Sequence, residues 1–107
     1  MDWYSIKYLY PKSFDRFCEL MFPNTGVVSL STLSYYDNKK LYYFFDKEGV
    51  YLLLERYHTS LWNYTISLHN GICFGPGNNS KKTREETEEE GFNECFRILD
   101  KLLTNNY

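Results

Sequence analysis

From Val50 to Phe74, apolar and aromatic side chains come in short runs divided by turn-forming residues, and this stretch frames the rest of the chain. Val50 to Tyr57 and Leu61 to His69 are rich in Leu, Tyr, Trp, Ile and Thr, which suit a pleated, half-buried surface. The polar segment His58, Thr59, Ser60 lies between them and predicts a hairpin. Asn70-Gly71 then tolerates the two positive φ angles of a type I′ turn, so Ile72-Cys73-Phe74 reads as a returning strand.

Turn length fixes register, and register decides which side chains share a face. A three-residue first loop and a two-residue second loop put Tyr57 opposite Leu61, Leu54 opposite Tyr64 and Leu68 opposite Cys73. One face then holds Leu52, Leu54, Arg56, Trp62, Tyr64, Ile66, Leu68 and Cys73, the expected core. The other holds Tyr51, Leu53, Glu55, Tyr57, Leu61, Asn63, Thr65, Ser67, His69, Ile72 and Phe74. That mixture of polar and aromatic residues needs a covering element or a partner, and a one-residue change in loop length exchanges the assignments.

Around this meander the period lengthens to that of helices. Asp2 is placed to cap a first short turn through Trp3, Ile6 and Tyr8, and Pro11 suits the first position of the next helix. Phe14, Phe17, Cys18 and Met21 form its apolar stripe, and Pro23 ends it. The Ser-rich passage 27–34 reads as an edge strand or an irregular connection. Leu41, Phe44 and Phe45, following Asp37-Asn38, favour a short helix over a strand, and Gly49 supplies a left-handed turn position before Val50. The Gly75-Pro76-Gly77-Asn78-Asn79-Ser80 segment is a loop. Thr83 and Glu86 form a capping box for a long helix from Arg84 to Leu103, with Phe92, Cys95, Phe96, Leu99, Leu102 and Leu103 on one face. Gly91 within it costs about 1 kcal/mol relative to Ala, which predicts a kink or a close backbone approach. The expected fold is α+β: one domain, residues 1–107, with a three-stranded antiparallel sheet packed by an N-terminal helix and a long C-terminal helix.

Composition narrows the functions. With 107 residues the chain can bury about two thirds of its unfolded surface without disulfide or metal. A net charge of −2 offers no basic field for nucleic acid or anionic lipid, so neither partner is expected. Three cysteines, without Cys-x-x-Cys or Cys/His ligand spacing, imply a reducing compartment. The N-terminus lacks a basic, apolar leader and no long apolar run follows, so the expected location is cytoplasmic, and no metal or other cofactor is expected. Aromatic residues make up 20% of the chain, including 11 Tyr, which suits contact surfaces as well as cores.

The catalytic signals are thin. The segment from Gly75 to Thr83 has a passing likeness to a phosphate-binding loop, but Ser80 stands where the second Gly belongs and glutamates open the helix that follows. Cys18, Cys73 and Cys95 all fall on predicted core faces, His58 lies in a turn, and His69 has no carboxylate placed to orient it. Glu85, Glu86, Glu88, Glu89 and Glu90 read first as a solvated face favoured by the helix dipole, and second as a surface for a basic protein patch. The candidate partner-binding residues are therefore Tyr51, Leu53, Tyr57, Leu61, His69, Ile72 and Phe74 on the sheet, with Glu85, Glu86 and Glu89 on the last helix.

Tyr10-Pro11-Lys12 with Phe14 and Phe17, Leu41-Tyr42 with Phe44-Phe45-Asp46 and Gly49-Val50-Tyr51, and Thr83-Arg84-Glu85-Glu86 with Phe92, Phe96, Ile98 and Leu99 together resemble small uncharacterised proteins of Bacteroidota and their tailed phages. The resemblance implies an accessory protein of phage or mobile-element type in the host cytoplasm, and brings no catalytic residues with it. The resulting expectation is a non-enzymatic protein that binds another protein, a host factor or a phage component. Alternatives are a minor structural or packaged virion component, and a small enzyme using His69.

Overall fold

The computed structural model describes residues 1–23, 28–33, 36–58, 61–74 and 83–104, with Tyr57 and His58 described by their backbone alone. The expected turn at Asn24-Thr25-Gly26 and the loop after Phe74 lie outside these residues.

Local signals account for most of the helices. The Asp2 side chain accepts from Ser5 N–H at 3.2 Å and opens α1 (Trp3–Leu9), whose carboxylate cap is held below its usual pKa by those Ser5 hydrogen bonds. Helix α2 (Pro11–Met21) follows at once with Pro11 in its first turn. Its N-cap, Tyr10, gives no side-chain bond, and the cap comes instead from a residue far along the chain: Asp100 Oδ1 accepts from Ser13 N–H at 3.0 Å. In place of a strand or irregular connection, residues 30–33 form a single turn, α3 (Leu30–Leu33), which buries Leu33. Helix α4 (Asn38–Lys47) is capped by Asp37, whose side chain accepts from Lys39 N–H at 2.9 Å, and buries Leu41, Phe44 and Phe45.

Gly49, at φ 75°, turns the chain into β1 (Val50–His58), which pairs antiparallel with β2 (Leu61–Leu68), itself paired with β3 (Cys73–Phe74). Leu54 faces Tyr64 as expected, but a bulge between Arg56 and His58 makes His58, not Tyr57, the partner of Leu61. The second turn also differs. Gly71 N–H donates to Leu68 O at 2.9 Å, Leu68 N–H donates to Ile72 O at 2.8 Å, and Gly71 sits at φ 93°, so His69, Asn70 and Gly71 form a three-residue loop ending in a glycine bulge. The Asn70 side chain accepts from Ile72 N–H at 3.1 Å and favours this loop over a two-residue turn. Consequently Ser67, rather than Leu68, faces Cys73, and Ile66 faces Phe74. The faces of β3 are exchanged: Phe74 packs towards the core and Cys73 is exposed.

Helix α5 (Arg84–Leu103) is opened by Thr83, whose hydroxyl oxygen accepts from Glu86 N–H at 3.1 Å. It lies on both long strands and on α2, with α4 alongside β1. Gly91 is the close approach: a Cβ there would stand 2.7 Å from Leu52 Cδ1. Between sheet and helices the core is dominated by rings. Phe17 contacts Trp3 at 5.2 Å, Phe44 at 5.2 Å, Phe96 at 5.9 Å and Tyr36 at 5.3 Å between centroids. Among the described residues, no helix is long and apolar enough to cross a membrane.

Phe17→Ala should destabilise the fold by about 3–5 kcal/mol through lost burial and the cavity left behind. Asp100→Ala, which removes the borrowed cap, should cost about 1 kcal/mol. Urea unfolding followed by far-UV circular dichroism measures both, and equal small effects would show that neither residue has the role assigned to it.

Candidate functional site

α5 and α4 lie on one side of the sheet, and among the described residues no helix lies on the opposite side at its Val50 end. Tyr51 there is 40% exposed and Leu53 56% exposed, with Cys73 exposed and Thr65 and Ser67 half-buried beside them. The alternation of β1 explains the placement: Val50 is buried and Leu52 and Leu54 pack on the core, while Tyr51, Leu53 and Glu55 point away. The face closes towards its other end, where Leu61 is half-buried and Asn63 is buried with its Oδ1 accepting from Tyr64 N–H at 2.8 Å. Neither the Phe14 helix nor the Leu41 helix covers it.

The remaining expected residues scatter. Ile72, 46% exposed, and exposed His69 belong to the second turn, where His69 N–H donates to Gly49 O at 3.1 Å. The His69 ring lies over Gly49, close enough that a Cβ on Gly49 would stand 2.8 Å from Nδ1. Among the described residues no hydrogen bond joins that ring to a carboxylate. Phe74 leaves the set, since the shifted register turns it to the core. The side chain of Tyr57 lies outside the described residues.

The glutamates of α5 divide by helical position. Glu85, Glu86 and Glu89 are exposed, and Glu86 takes a hydrogen bond from the Thr83 hydroxyl at 2.9 Å while Glu89 lies 3.1 Å from the Met1 amino nitrogen. Glu88, expected with them on the solvated face, is only 7% exposed. Its carboxylate accepts from Asn38 Nδ2 at 2.6 Å and from the Tyr42 hydroxyl at 2.7 Å, with the Arg84 guanidinium at 3.7 Å. Asn38 and Tyr42 sit four residues apart on α4, so one buried carboxylate fixes the register between α4 and α5. No local pattern marked Glu88 out from its neighbours; the only hint was the polar spacing of Asn38 and Tyr42 beside an apolar stripe.

Elsewhere, a groove of about 300 Å³ between α2 and α4 is lined by Arg16, Leu20, Met21, Tyr43, Phe44, Lys47 and Glu48. Arg16 is ion-paired with Glu48, and Lys47 Nζ lies 5.3 Å from the centre of the Tyr43 ring. Of the thiols, Cys95 is fully buried and burial raises its pKa well above the usual thiol value, while burial and the nearby Asp15 push Cys18 up to about 11. Both therefore stay protonated and unreactive near neutral pH. Among the described residues no group of three or more His, Cys, Asp and Glu is placed to hold a metal ion. No protein-family model, curated protein or solved structure matches this chain.

Alkaline pH should expose the cost of the buried phenols and thiols. Burial and the Glu88 hydrogen bond raise Tyr42, burial and Glu94 push Tyr64 up to about 12, and both exceed the ordinary value of 10.0. The unfolded chain therefore releases these protons first, so their stabilisation is intact below the unfolded-state pKa and is lost as pH rises beyond it. Urea midpoints should be level near neutrality and fall from about pH 9 upward, where the thiols begin to titrate in the unfolded chain. Glu88→Ala, which leaves Asn38 and Tyr42 without their acceptor, should cost about 1.5–3 kcal/mol at pH 7 by the same measurement.

Proposed function

We propose that this chain is a small non-enzymatic accessory protein, of phage or mobile-element type, that acts by binding another protein through the open end of its sheet. The observation that carries the reading is the pair Tyr51 and Leu53, both more than a third exposed on neighbouring outward positions of β1. Exposed aromatic and aliphatic side chains on a rigid sheet hold their binding conformation at low entropic cost, and such residues dominate interface energetics. The phage or mobile-element attribution rests on the sequence resemblance alone.

Two observations favour a protein over a nucleic acid as the partner. The net charge is −2, and the exposed start of α5 carries Glu85, Glu86 and Glu89, so an approaching phosphate backbone meets repulsion. The acidic residues offer a second contact for a basic partner. Glu85 and Glu86 lie in the first turn of α5, where the dipole favours carboxylates, which gives them a structural purpose as well.

The purified protein should capture a specific prey from a lysate of its host cell. Tyr51→Ser plus Leu53→Ser should abolish capture with the fold retained, because both side chains point away from the core. Glu86→Lys plus Glu89→Lys should weaken capture only where the partner is basic. A prey retained in full by the folded sheet-face variant sinks the proposal. Phe74 is unsuitable as a probe, since its replacement reports on the core.

A further inference from the structure

We propose that Asn70-Gly71 is a self-modification site: the folded chain converts Asn70 to isoaspartate, and the product releases β3 from the register that turns Phe74 to the core. The inference stands apart from the binding surface and concerns the loop between β2 and β3. Asn70 is the only asparagine in the chain followed by glycine; every other precedes a residue whose side chain hinders attack by the next backbone nitrogen. Among the described residues, Asn63 is buried in β2, and Asn38 and Asn93 lie within α4 and α5.

The loop presents the reacting atoms to one another. Asn70 and Gly71 are both exposed, and nothing lies within 4 Å of where a Cβ on Gly71 would stand. Asn70 Oδ1 accepts from Ile72 N–H at 3.1 Å, which folds the side chain back along the backbone and brings its amide carbon towards the Gly71 nitrogen. One contact opposes the reaction. Gly71 N–H donates to Leu68 O at 2.9 Å, and the nitrogen must lose that proton to attack. Freeing it takes a local opening only, because β3 has two residues and pairs with β2 through Ile66 and Phe74 and through Ser67 and Cys73. A segment held by so few contacts opens at a small part of the cost of global unfolding.

In the reaction the Gly71 nitrogen bonds to Asn70 Cγ, the Cγ–Nδ2 bond breaks, and Nδ2 leaves as ammonia with the Gly71 amide proton. Water then opens the five-membered imide, and no electrons are exchanged with any other reactant. Opening at Cγ gives aspartate, which keeps an oxygen for Ile72 N–H and therefore the loop. Opening at the main-chain carbonyl carbon gives isoaspartate, and the backbone then runs through the former side chain and is one atom longer. That atom falls between Leu68 and Ile72, where Leu68 N–H donates to Ile72 O at 2.8 Å and closes the loop. Loop length sets the register of β3, so the longer loop frees Phe74 from its place against the core.

The protein should be held in mildly alkaline buffer, folded and in parallel unfolded in urea, then labelled with isoaspartyl carboxyl methyltransferase and radioactive S-adenosylmethionine and mapped by proteolysis. Label should appear in the peptide carrying Asn70 and not in those carrying Asn38, Asn63 or Asn93, several-fold more slowly in the folded chain than in the unfolded one. Asn70→Gln, whose longer side chain would have to close a six-membered ring, should take no label. Ion exchange separates the more acidic products for amide NMR spectra. Ser67, Cys73 and Phe74 should shift in the isoaspartate fraction and overlay fresh protein in the aspartate fraction. A folded chain that stays unlabelled while the unfolded chain is labelled to completion overturns the proposal, as does an isoaspartate fraction whose β3 amides coincide with those of fresh protein.

Discussion

Phe17 is the ring on which the helical layer converges. It is fully buried on α2 and touches Trp3 of α1, Phe44 of α4, Phe96 of α5 and Tyr36 just before α4. Each of those segments is too short to hold its conformation alone, or in the case of α5 needs an apolar surface for its buried face, so a shared aromatic contact makes their folding mutually dependent. The ring contacts are mostly edge-on and tilted, and they set the spacing of the layer.

Two polar links give that layer its orientation. Asp100 on α5 caps α2, and Ser13 donates through its hydroxyl to the Phe96 carbonyl at 2.9 Å, so the start of α2 is tied to the end of α5. Near the other end of α5, Glu88 gathers Asn38 and Tyr42 from α4. Apolar packing alone tolerates sliding of one helix on another; buried hydrogen bonds with fixed partners do not, because a shifted register leaves them unmade. With the helices pinned over one side of the sheet, the Val50 end of the other side is open among the described residues, and the candidate site follows from that one-sided arrangement.

Elements whose boundaries are set by neighbouring residues could be read from the chain. Asp2, Asp37 and Thr83 each open a helix through contacts within a few positions, Pro11 suits the first turn of α2 by its fixed φ, and Gly49 takes the left-handed turn angle that its lack of a Cβ permits. The alternation in β1 placed Tyr51 and Leu53 on one face because the period of a strand is fixed by its pleat. Gly91 announced a close approach, and Leu52 fills it.

Where one residue in a loop decides the outcome, local reading failed. Asn70-Gly71 signals a turn, but whether His69 joins the loop depends on the Asn70 side chain and the Ile72 N–H, and that single residue exchanged Cys73 with Phe74. Glu88 is indistinguishable from its acidic neighbours until α4 is set against α5, and Asp100 becomes a cap only when α2 arrives beside it. The sequence by itself determined the described helices other than α3, the strands and the outward pair Tyr51 and Leu53, because periodicity and capping act over a few residues. The register of β3 turned on contacts inside the His69–Gly71 loop that the residue pattern did not rank, whereas only the tertiary structure decided the buried carboxylate and, among the described residues, the helix-free end of the sheet, because each depends on groups that meet across tens of residues of chain.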